Sequence, residues 1–198
     1  LQDIGIEPRN GDNWRKVVHL DDVEMKRLVT GIVLRRIKTE NNPEDVLGPV
    51  YLLRDENDES PTRDAKEFST LLNACGRLGK PSLAIGACLG NEGIREQAIE
   101  MLSEYKRQII NALDWFYKNK ESFVNNDGYV IFNAGENIND AIIGTVSSII
   151  SRSGLYKDGS VIVGMAVNVE NSVKVSIRKA GFRNNENINL LDIMKQAS

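Results

Sequence analysis

The sequence predicts an α/β fold of the α+β type, in which a helical N-terminal part and a long connector helix precede a small mixed sheet. Between residues 94 and 116, apolar side chains recur at helical spacing for about six turns. Residues 161–169 are apolar on both faces, which is typical of a central strand covered on each side. Residues 173–178 alternate apolar and polar, as a half-buried strand does.

The composition limits the classes of function that the chain can serve. Of the 198 residues, 41% are apolar, which is enough to bury a core. The formal net charge of −3 does not indicate a nucleic-acid-binding protein, so any such contact has to come from local basic residues. No apolar run reaches the ~18 residues of a membrane helix, and the first residues lack the apolar stretch of a signal peptide. We therefore predict a cytoplasmic protein without a membrane partner.

The two cysteines, Cys75 and Cys88, give little indication of redox or metal chemistry. Each falls on an apolar helical stripe, and they do not form the C-x-x-C pair that metal sites use. This pattern predicts two buried, reduced thiols in preference to a disulfide or a metal site.

Residues 1–60 form the first of three segments. Asp21 precedes an amphipathic stretch and Glu24 occupies its third position, which is the arrangement of a helix N-cap with a capping box. The helix predicted there has a continuous apolar face that needs a surface to pack against. Residues 50–53 predict a short strand, followed by an acidic loop over residues 55–59. The apolar face of the helix consists of Met25, Leu28, Val29, Ile32, Val33 and Ile37.

Residues 61–124 form a helical second segment. A D-x-x-E pattern from Asp64 to Glu67 predicts the start of a helix with one apolar stripe. Residues 81–89 predict a short helix of small residues, and residues 94–116 predict the long helix. A coiled coil is the alternative for the long helix, although its stripe lacks a sustained heptad. The stripe of the first helix consists of Ala65, Phe68, Leu71, Leu72 and Cys75.

The run NACGRLGK at residues 73–80 is the most informative stretch of the chain. It predicts that Arg77 lies between Gly76 and Gly79 in a bend directly after a helix. A guanidinium offers five donors in a planar fork, so an arginine fixed there suits bidentate contact with a phosphate or a carboxylate. The competing interpretation is that Gly76 ends the helix and Arg77 pairs with a surface carboxylate.

Residues 125–198 form a third segment that contains both strands and helices. A hairpin turn is predicted over residues 168–172, and Asn189 is predicted to cap the last helix. The predicted elements are strands over residues 129–132, 161–169 and 173–178 and helices over residues 138–150 and 190–197. In the last strand, alternation is expected to place Val173, Val175 and Ile177 inward and Lys174, Ser176 and Arg178 on the opposite face.

Two stretches of the chain resemble the RecJ-type DHH-family phosphoesterases. In residues 63–89, RDAKEFSTLLNACGRLGKPSLAIGACL, the N-A-C-G-R-L-G run is similar to the one with which the family leaves its catalytic domain and enters a connecting helix. Residues 173–180, VKVSIRKA, and residues 187–190 resemble a strand and helix of the DHH-associated C-terminal domain. The resemblance is to the archaeal RecJ-like nucleases that associate with the GINS replication complex.

The chain departs from this family at the catalytic motif. The family's Asp-His-His motif helps to hold manganese, whereas this chain has a single histidine, His19. The chain also ends where the family continues into a glycine-rich GGGH loop. The resemblance thus implies an internal fragment of a longer parent, with a manganese or magnesium domain upstream. We expect no catalytic residue, metal ligand or cofactor in this chain, and no hydrolysis by the chain alone.

The resemblance implies that this chain is the nucleic-acid-binding portion of a metal-dependent single-strand exonuclease. In such an enzyme, Arg77 and Arg178 would hold phosphates of single-stranded DNA or RNA from two sides of a cleft, and Asn73 would order the bend. Other basic residues would add weaker, salt-sensitive attraction. The implied nucleic-acid-binding residues are Asn73, Arg77, Lys80, Ser176, Arg178, Lys179 and Arg183.

Two alternative functions stay open on the sequence. Archaeal members of the family bind GINS, and some related replication proteins keep the fold without nuclease activity, so the parent is alternatively a replication scaffold. A phosphoesterase for short oligonucleotides is a further alternative, against which the N-A-C-G-R connector argues. By resemblance, residues 1–60 are a partner-binding insertion or a remnant of the catalytic domain. Residues 61–124 then carry the motif and connector helices, and residues 125–198 are the truncated DHH-associated domain.

Overall fold

The computed structural model describes residues 1–37, 42–54, 56–57, 60–181 and 189–197. Contacts between Cα atoms divide the chain into two compact units, Leu1–Tyr51 and Leu52–Ser198. Within the described residues there are six α-helices and a mixed four-stranded sheet, so the predicted α+β class is confirmed. No helix in that part of the chain combines the length and the apolar character needed to cross a membrane.

The first unit contains a small hairpin and one long helix. Its elements are strands β1 (Arg9–Asn10) and β2 (Asn13–Trp14) and helix α1 (Asp22–Arg36). The Asp21 carboxylate accepts hydrogen bonds from the N–H groups of Val23 and Glu24, and the Glu24 carboxylate accepts one from the Asp21 N–H. The predicted capping box is therefore confirmed. No residue of α1 is buried, although a packing surface was expected for its apolar face.

The second unit begins with three helices. Four strands and two further helices follow. Asp64, Asn91 and Asn139 each accept a backbone hydrogen bond at the start of a helix, which satisfies N–H groups that have no partner inside it. The elements in chain order are α2 (Ala65–Arg77), α3 (Pro81–Cys88), α4 (Glu92–Asn119), β3 (Val124–Asn126), β4 (Tyr129–Asn133), α5 (Asp140–Arg152), β5 (Val161–Val167), β6 (Val173–Lys179) and α6 (Leu190–Ala197).

The four-stranded sheet has the strand order β3-β4-β5-β6. The outer pairs, β3 with β4 and β5 with β6, are antiparallel hairpins. The central pair, β4 and β5, is parallel, so the chain crosses over through α5 between them. The predicted turn between β5 and β6 is confirmed, because the Asn168 Oδ1 atom accepts hydrogen bonds from the N–H groups of Glu170 and Ser172.

The core of the second unit lies between the helices and one face of the sheet. An aromatic cluster of Phe116, Phe123 and Phe132 connects α4 to β4, with ring centroids 5.1 to 5.6 Å apart. Aromatic pairs at such separations stabilise a core beyond the effect of their buried area. In α3, a Cβ atom added at Gly86 would lie 2.5 Å from Ile94 Cγ2, so this glycine allows α3 and α4 to pack closely.

Strand β6 has the opposite orientation to the one predicted. Val173 and Val175 are 53% and 38% exposed, whereas Ser176 is only 7% exposed. The strand pairs with β5 so that Ser176 lies opposite Gly164, on the face of the sheet that α5 covers. Small residues of α5 leave room for these polar side chains. Alternation defines the two faces of a strand but does not determine which face the helix covers.

Two further predictions for local structure are wrong. Residues 50–53 do not form a strand, because Leu52 makes only an isolated bridge to Asp64. Cys88 is exposed, since the short helix α3 turns it away from the core, while Cys75 is buried as predicted. Both thiols are free, as expected.

Candidate nucleic-acid interface

Arg77 is the last residue of α2, and Gly79, with a φ of 71°, turns the chain after it. The predicted bend therefore begins one residue after Arg77, and Gly76 lies inside the helix. The Arg77 Nη1 atom donates a hydrogen bond of 2.9 Å to the backbone carbonyl of Ala141 in α5. One end of an exposed guanidinium is thus fixed to α5.

Arg178 is held more firmly than Arg77. Its Nε atom donates to Ser148 Oγ at 2.8 Å, and its Nη1 atom donates to the carbonyl of Ile177 at 2.8 Å. The Nη2 atom has no hydrogen-bond partner in the described part of the chain. It lies 3.6 Å from the point where a Cβ atom of Gly144 would be. Arg178 is therefore anchored from one side and keeps donors on the other.

The two arginines contact one helical surface, which we call the α5 face. It consists of Ala141, Gly144, Thr145 and Ser148, whose spacings of three and four residues place them on one side of α5. All four are partly exposed and have small side chains. Their contacts with Arg77 and Arg178 lie within two helical turns, roughly 10 Å along the axis. The Thr145 hydroxyl also forms a hydrogen bond of 3.0 Å with Tyr105 of α4.

Ser176 lies beside this surface with an unsatisfied hydroxyl. Its Oγ atom is buried and has no hydrogen-bond partner among the described residues. It is 3.8 Å from the point where a Gly144 Cβ would be, so it is directed toward the α5 face. Because a buried hydroxyl without a partner is unfavourable, a further polar group is expected to approach it.

The charge around the α5 face is positive. Neither Arg77 nor Arg178 forms an ion pair within the described residues. The nearby carboxylate of Asp140 pairs with Lys174 of β6, with a distance of 3.9 Å from Nζ to Oδ2. The N-terminus of α5 adds a partial positive charge from its backbone dipoles. An anion is the ligand that this arrangement favours.

The structure does not bring all the predicted residues together. Asn73 and Lys80 are exposed, on α2 and directly before α3. Lys179 follows Arg178 in β6 and so lies on the opposite face of the sheet. Arg183 lies outside the described residues. Of the predicted residues, Arg77, Ser176 and Arg178 therefore lie beside the α5 face.

The sequence interpretation missed the four residues of the α5 face. Their signal is the recurrence of small residues at spacings of three and four in the pattern A-x-x-G-T-x-x-S. Such a stripe permits close approach but does not identify what approaches. Only the contacts from α2 and β6 give it a possible role.

Metal ligands are not grouped in the described residues. No cluster of three or more His, Cys, Asp or Glu side chains occurs there. The α5 face itself carries hydroxyl and guanidinium groups, which suit an anion and not a divalent cation. A manganese or magnesium site is therefore assigned to none of its residues.

Comparison with known proteins gives one informative similarity. No protein-family model matches the chain. An uncharacterized protein of Methanocaldococcus jannaschii is 35% identical over 113 residues, which cover 57% of this chain. The match spans 22% of that relative, or about a fifth of its length.

Proposed function

We propose that the α5 face, with Arg77 and Arg178 beside it, binds the phosphate backbone of single-stranded DNA or RNA. The observation that carries this proposal is that two guanidinium groups, distant in sequence, donate to the same helix within two turns. Neither is neutralised by a carboxylate in the described part of the chain. Arginine forks match phosphate oxygens in geometry as well as in charge.

The small side chains of the α5 face, between the two arginines, support this proposal. These side chains are no larger than threonine, and the Thr145 hydroxyl is hydrogen-bonded to Tyr105 of α4 at 3.0 Å. Lys174 adds positive charge, although Asp140 partly neutralises it.

We further propose that the chemistry belongs to another part of a longer protein. The similarity of residues 63–89 and 173–180 to RecJ-like enzymes supports a metal-dependent single-strand exonuclease, with manganese or magnesium held outside this chain. In such enzymes, two metal ions stabilise the attacking and the leaving oxygens at phosphorus. The role of the α5 face is then to hold the strand, in the cytoplasm.

Fluorescence anisotropy with a labelled oligothymidine of about 15 nucleotides tests the proposal. The chain is expected to bind it more weakly as salt rises, with a slope near 0.7 per phosphate contacted. Arg77→Ala and Arg178→Ala are each expected to lower the affinity and to reduce the slope by about 0.7. Unchanged affinity and slope in both variants would overturn the assignment.

Arg107 provides a matched control for these variants. It is an exposed arginine on α4 whose Nη2 atom pairs with Glu104 at 2.5 Å. Arg107→Ala removes the same charge but is expected to leave the slope unchanged, because this arginine is already paired. A melting curve for Arg178→Ala checks that the loss of its bond to Ser148 has not unfolded the unit.

A replication scaffold is a second candidate function, and α1 is the observation that favours it. None of its residues is buried, and Leu28 and Ile32, four residues apart on one face, are apolar and partly exposed. Such faces are common docking sites for protein partners. We propose purified GINS as the partner to test by titration. Saturable binding that Leu28→Glu weakens would support this role, and no binding by the unaltered chain would contradict it.

A further inference from the structure

The hairpin of the first unit carries a tryptophan, Trp14, that is exposed to solvent. Gly11, with a φ of 61°, forms the turn between β1 and β2 and places Arg9 directly opposite Trp14. The Arg9 guanidinium carbon lies 4.3 Å from the centroid of the indole ring, within the range of a cation–π contact. Trp14 nevertheless remains 68% exposed. The Arg9 guanidinium therefore lies over one face of the indole, while most of the side chain stays exposed.

The chain that follows the hairpin is fixed by Arg15. Its guanidinium donates to both oxygens of Glu24, at 2.8 and 2.6 Å, and also to the carbonyls of Glu7 and His19. The two hydrogen bonds to Glu24 join the end of the hairpin to the first turn of α1, and the other two fix the flanking backbone. The first two also bind the Glu24 carboxylate, so it is less able to repel an anion nearby. The site beside Trp14 is thus ordered before any ligand arrives.

A cavity of about 550 Å³ lies at this hairpin. Its size is within the range of small-molecule sites. Its lining contains two guanidinium groups, two carboxamides, an imidazole and an indole, and none of the described lining residues carries a carboxylate. The lining residues are Arg9, Asn10, Asn13, Trp14, Arg15 and His19.

We propose that this cavity binds a nucleotide, with its base stacked on Trp14 and its phosphate beside Arg9. An indole face is suited to stacking on any base, and a guanidinium is suited to phosphate. The carboxamides of Asn10 and Asn13 both donate and accept hydrogen bonds, as base edges require. An acidic peptide would match the positive charge but would leave the planar aromatic surface unused. The site uses no residue of the α5 face.

Tryptophan fluorescence in a Trp115→Phe variant tests this proposal, because Trp14 is then the only tryptophan. Trp115 is partly buried against Phe123, so phenylalanine is a conservative replacement there. Adenosine monophosphate and an oligothymidine serve as probes that distinguish a free nucleotide from a strand. Saturable quenching by either supports the site, and the tighter probe identifies the source. Inorganic phosphate is expected to cause little quenching.

Two variants make the test specific. Arg9→Ala is expected to weaken the probe's binding, and Trp14→Ala, measured by competition with a labelled probe, to weaken it about fivefold or more. The Arg77→Ala, Arg178→Ala double variant is expected to quench normally, so failure of the α5 face and failure of this site are distinguishable. The proposal is wrong if neither probe quenches Trp14, or if an oligo-aspartate peptide quenches it equally.

Discussion

The two arginines beside the α5 face differ in how firmly each one is held. Arg77 is exposed and makes one hydrogen bond to Ala141, whereas Arg178 is partly buried and makes two. Arg77 has therefore more freedom to adjust to a ligand, and Arg178 has a more fixed geometry. Replacement of Arg178 is expected to remove its hydrogen bond to Ser148 as well as its contact with any bound phosphate. This difference is why a melting control is needed for Arg178 in particular.

Cys88 and Cys75 are expected to react differently with thiol reagents. Cys75 is fully buried, and burial also raises the pKa of its thiol, so it is both inaccessible and protonated at neutral pH. Cys88 is exposed. A chromogenic disulfide reagent should therefore modify one thiol in the folded chain and two after unfolding. Cys88→Ser should abolish the reaction of the folded chain.

Either of two outcomes would contradict the burial of Cys75 or the exposure of Cys88. Two thiols reacting at the same rate in the folded chain would mean that α2 does not bury Cys75. No reaction in the folded chain would mean that Cys88 is covered. Its exposure was not predictable from periodicity, because α3 has only eight residues and is apolar over much of its circumference.

The pKa of Glu24 provides a second prediction at this scale. The side-chain hydrogen bond from Arg15, followed by the backbone N–H of Asp21, lowers the pKa of this carboxyl. A lowered pKa in the folded state means that the contact stabilises the unit above the ordinary pKa of Glu24. This contribution is lost as the pH falls through the lowered value. The hairpin and α1 should therefore separate in acid.

Carbon-detected NMR of the Glu24 carboxyl measures this effect. In the unaltered chain, Glu24 should titrate below ordinary glutamates, and Arg15→Gln should return its pKa toward the usual range. Identical titration of Glu24 in both proteins would refute the Arg15 contact. The sequence predicted the capping role of Glu24, because capping is local, but it did not predict Arg15, which is nine residues away.

At the scale of elements, two glycines within helices give opposite predictions. A Cβ at Gly86 would lie 2.5 and 2.7 Å from side-chain atoms of Ile94, so Gly86→Ala has to push α3 away from α4. We expect it to lower the free energy of unfolding by about 1–3 kcal/mol. Gly76 in α2 has open space around it, so Gly76→Ala should raise that free energy by up to about 1 kcal/mol.

Urea denaturation of the two variants checks this pair of predictions. A rise in the free energy of unfolding for both would show that helix propensity alone determines the effect, and that α3 and α4 do not pack closely. The sequence indicated that small residues permit close approach in α3. It did not identify Ile94 as the contact, because the partner of a helix face depends on tertiary packing.

Alternation in strand β6 predicted which residues share a face, but not which face is buried. Alternation correctly placed Ser176 and Arg178 on the same face, and thus beside each other at the candidate site. It did not predict that α5 covers this face, because Val173 and Val175 appeared better suited to burial. The space is supplied by Gly144 and Gly164, which lie on two other elements. The sequence of β6 alone therefore does not show that its polar face can be buried.

For the whole molecule, most of the helices and the positions of β4, β5 and β6 were predictable from local patterns. The long helix α4 and the crossover helix α5 follow from apolar periodicity, since both bury one side. The hairpins of β1 with β2 and of β3 with β4 were not predicted. Strands β1, β2 and β3 have two or three residues each, which is too few to show alternation.

The candidate site was predictable only in part. Arg77 and Arg178 were identified by resemblance, and the structure places both against α5. The surface between them was not identified, since its residues have no distinctive chemistry. The hairpin site around Trp14 was also missed, because it depends on the pairing of two very short strands.

Mapping of amide chemical shifts during titration with a single-stranded oligonucleotide tests the central claim most directly. The amides of Ala141, Gly144 and Ser148 should shift in a saturable manner, and those shifts should disappear in the Arg77→Ala, Arg178→Ala double variant. The amides of Val163 and Val175, which belong to the opposite face of the sheet, should not move. Binding that shifts the opposite face and leaves the α5 face unchanged would contradict the account.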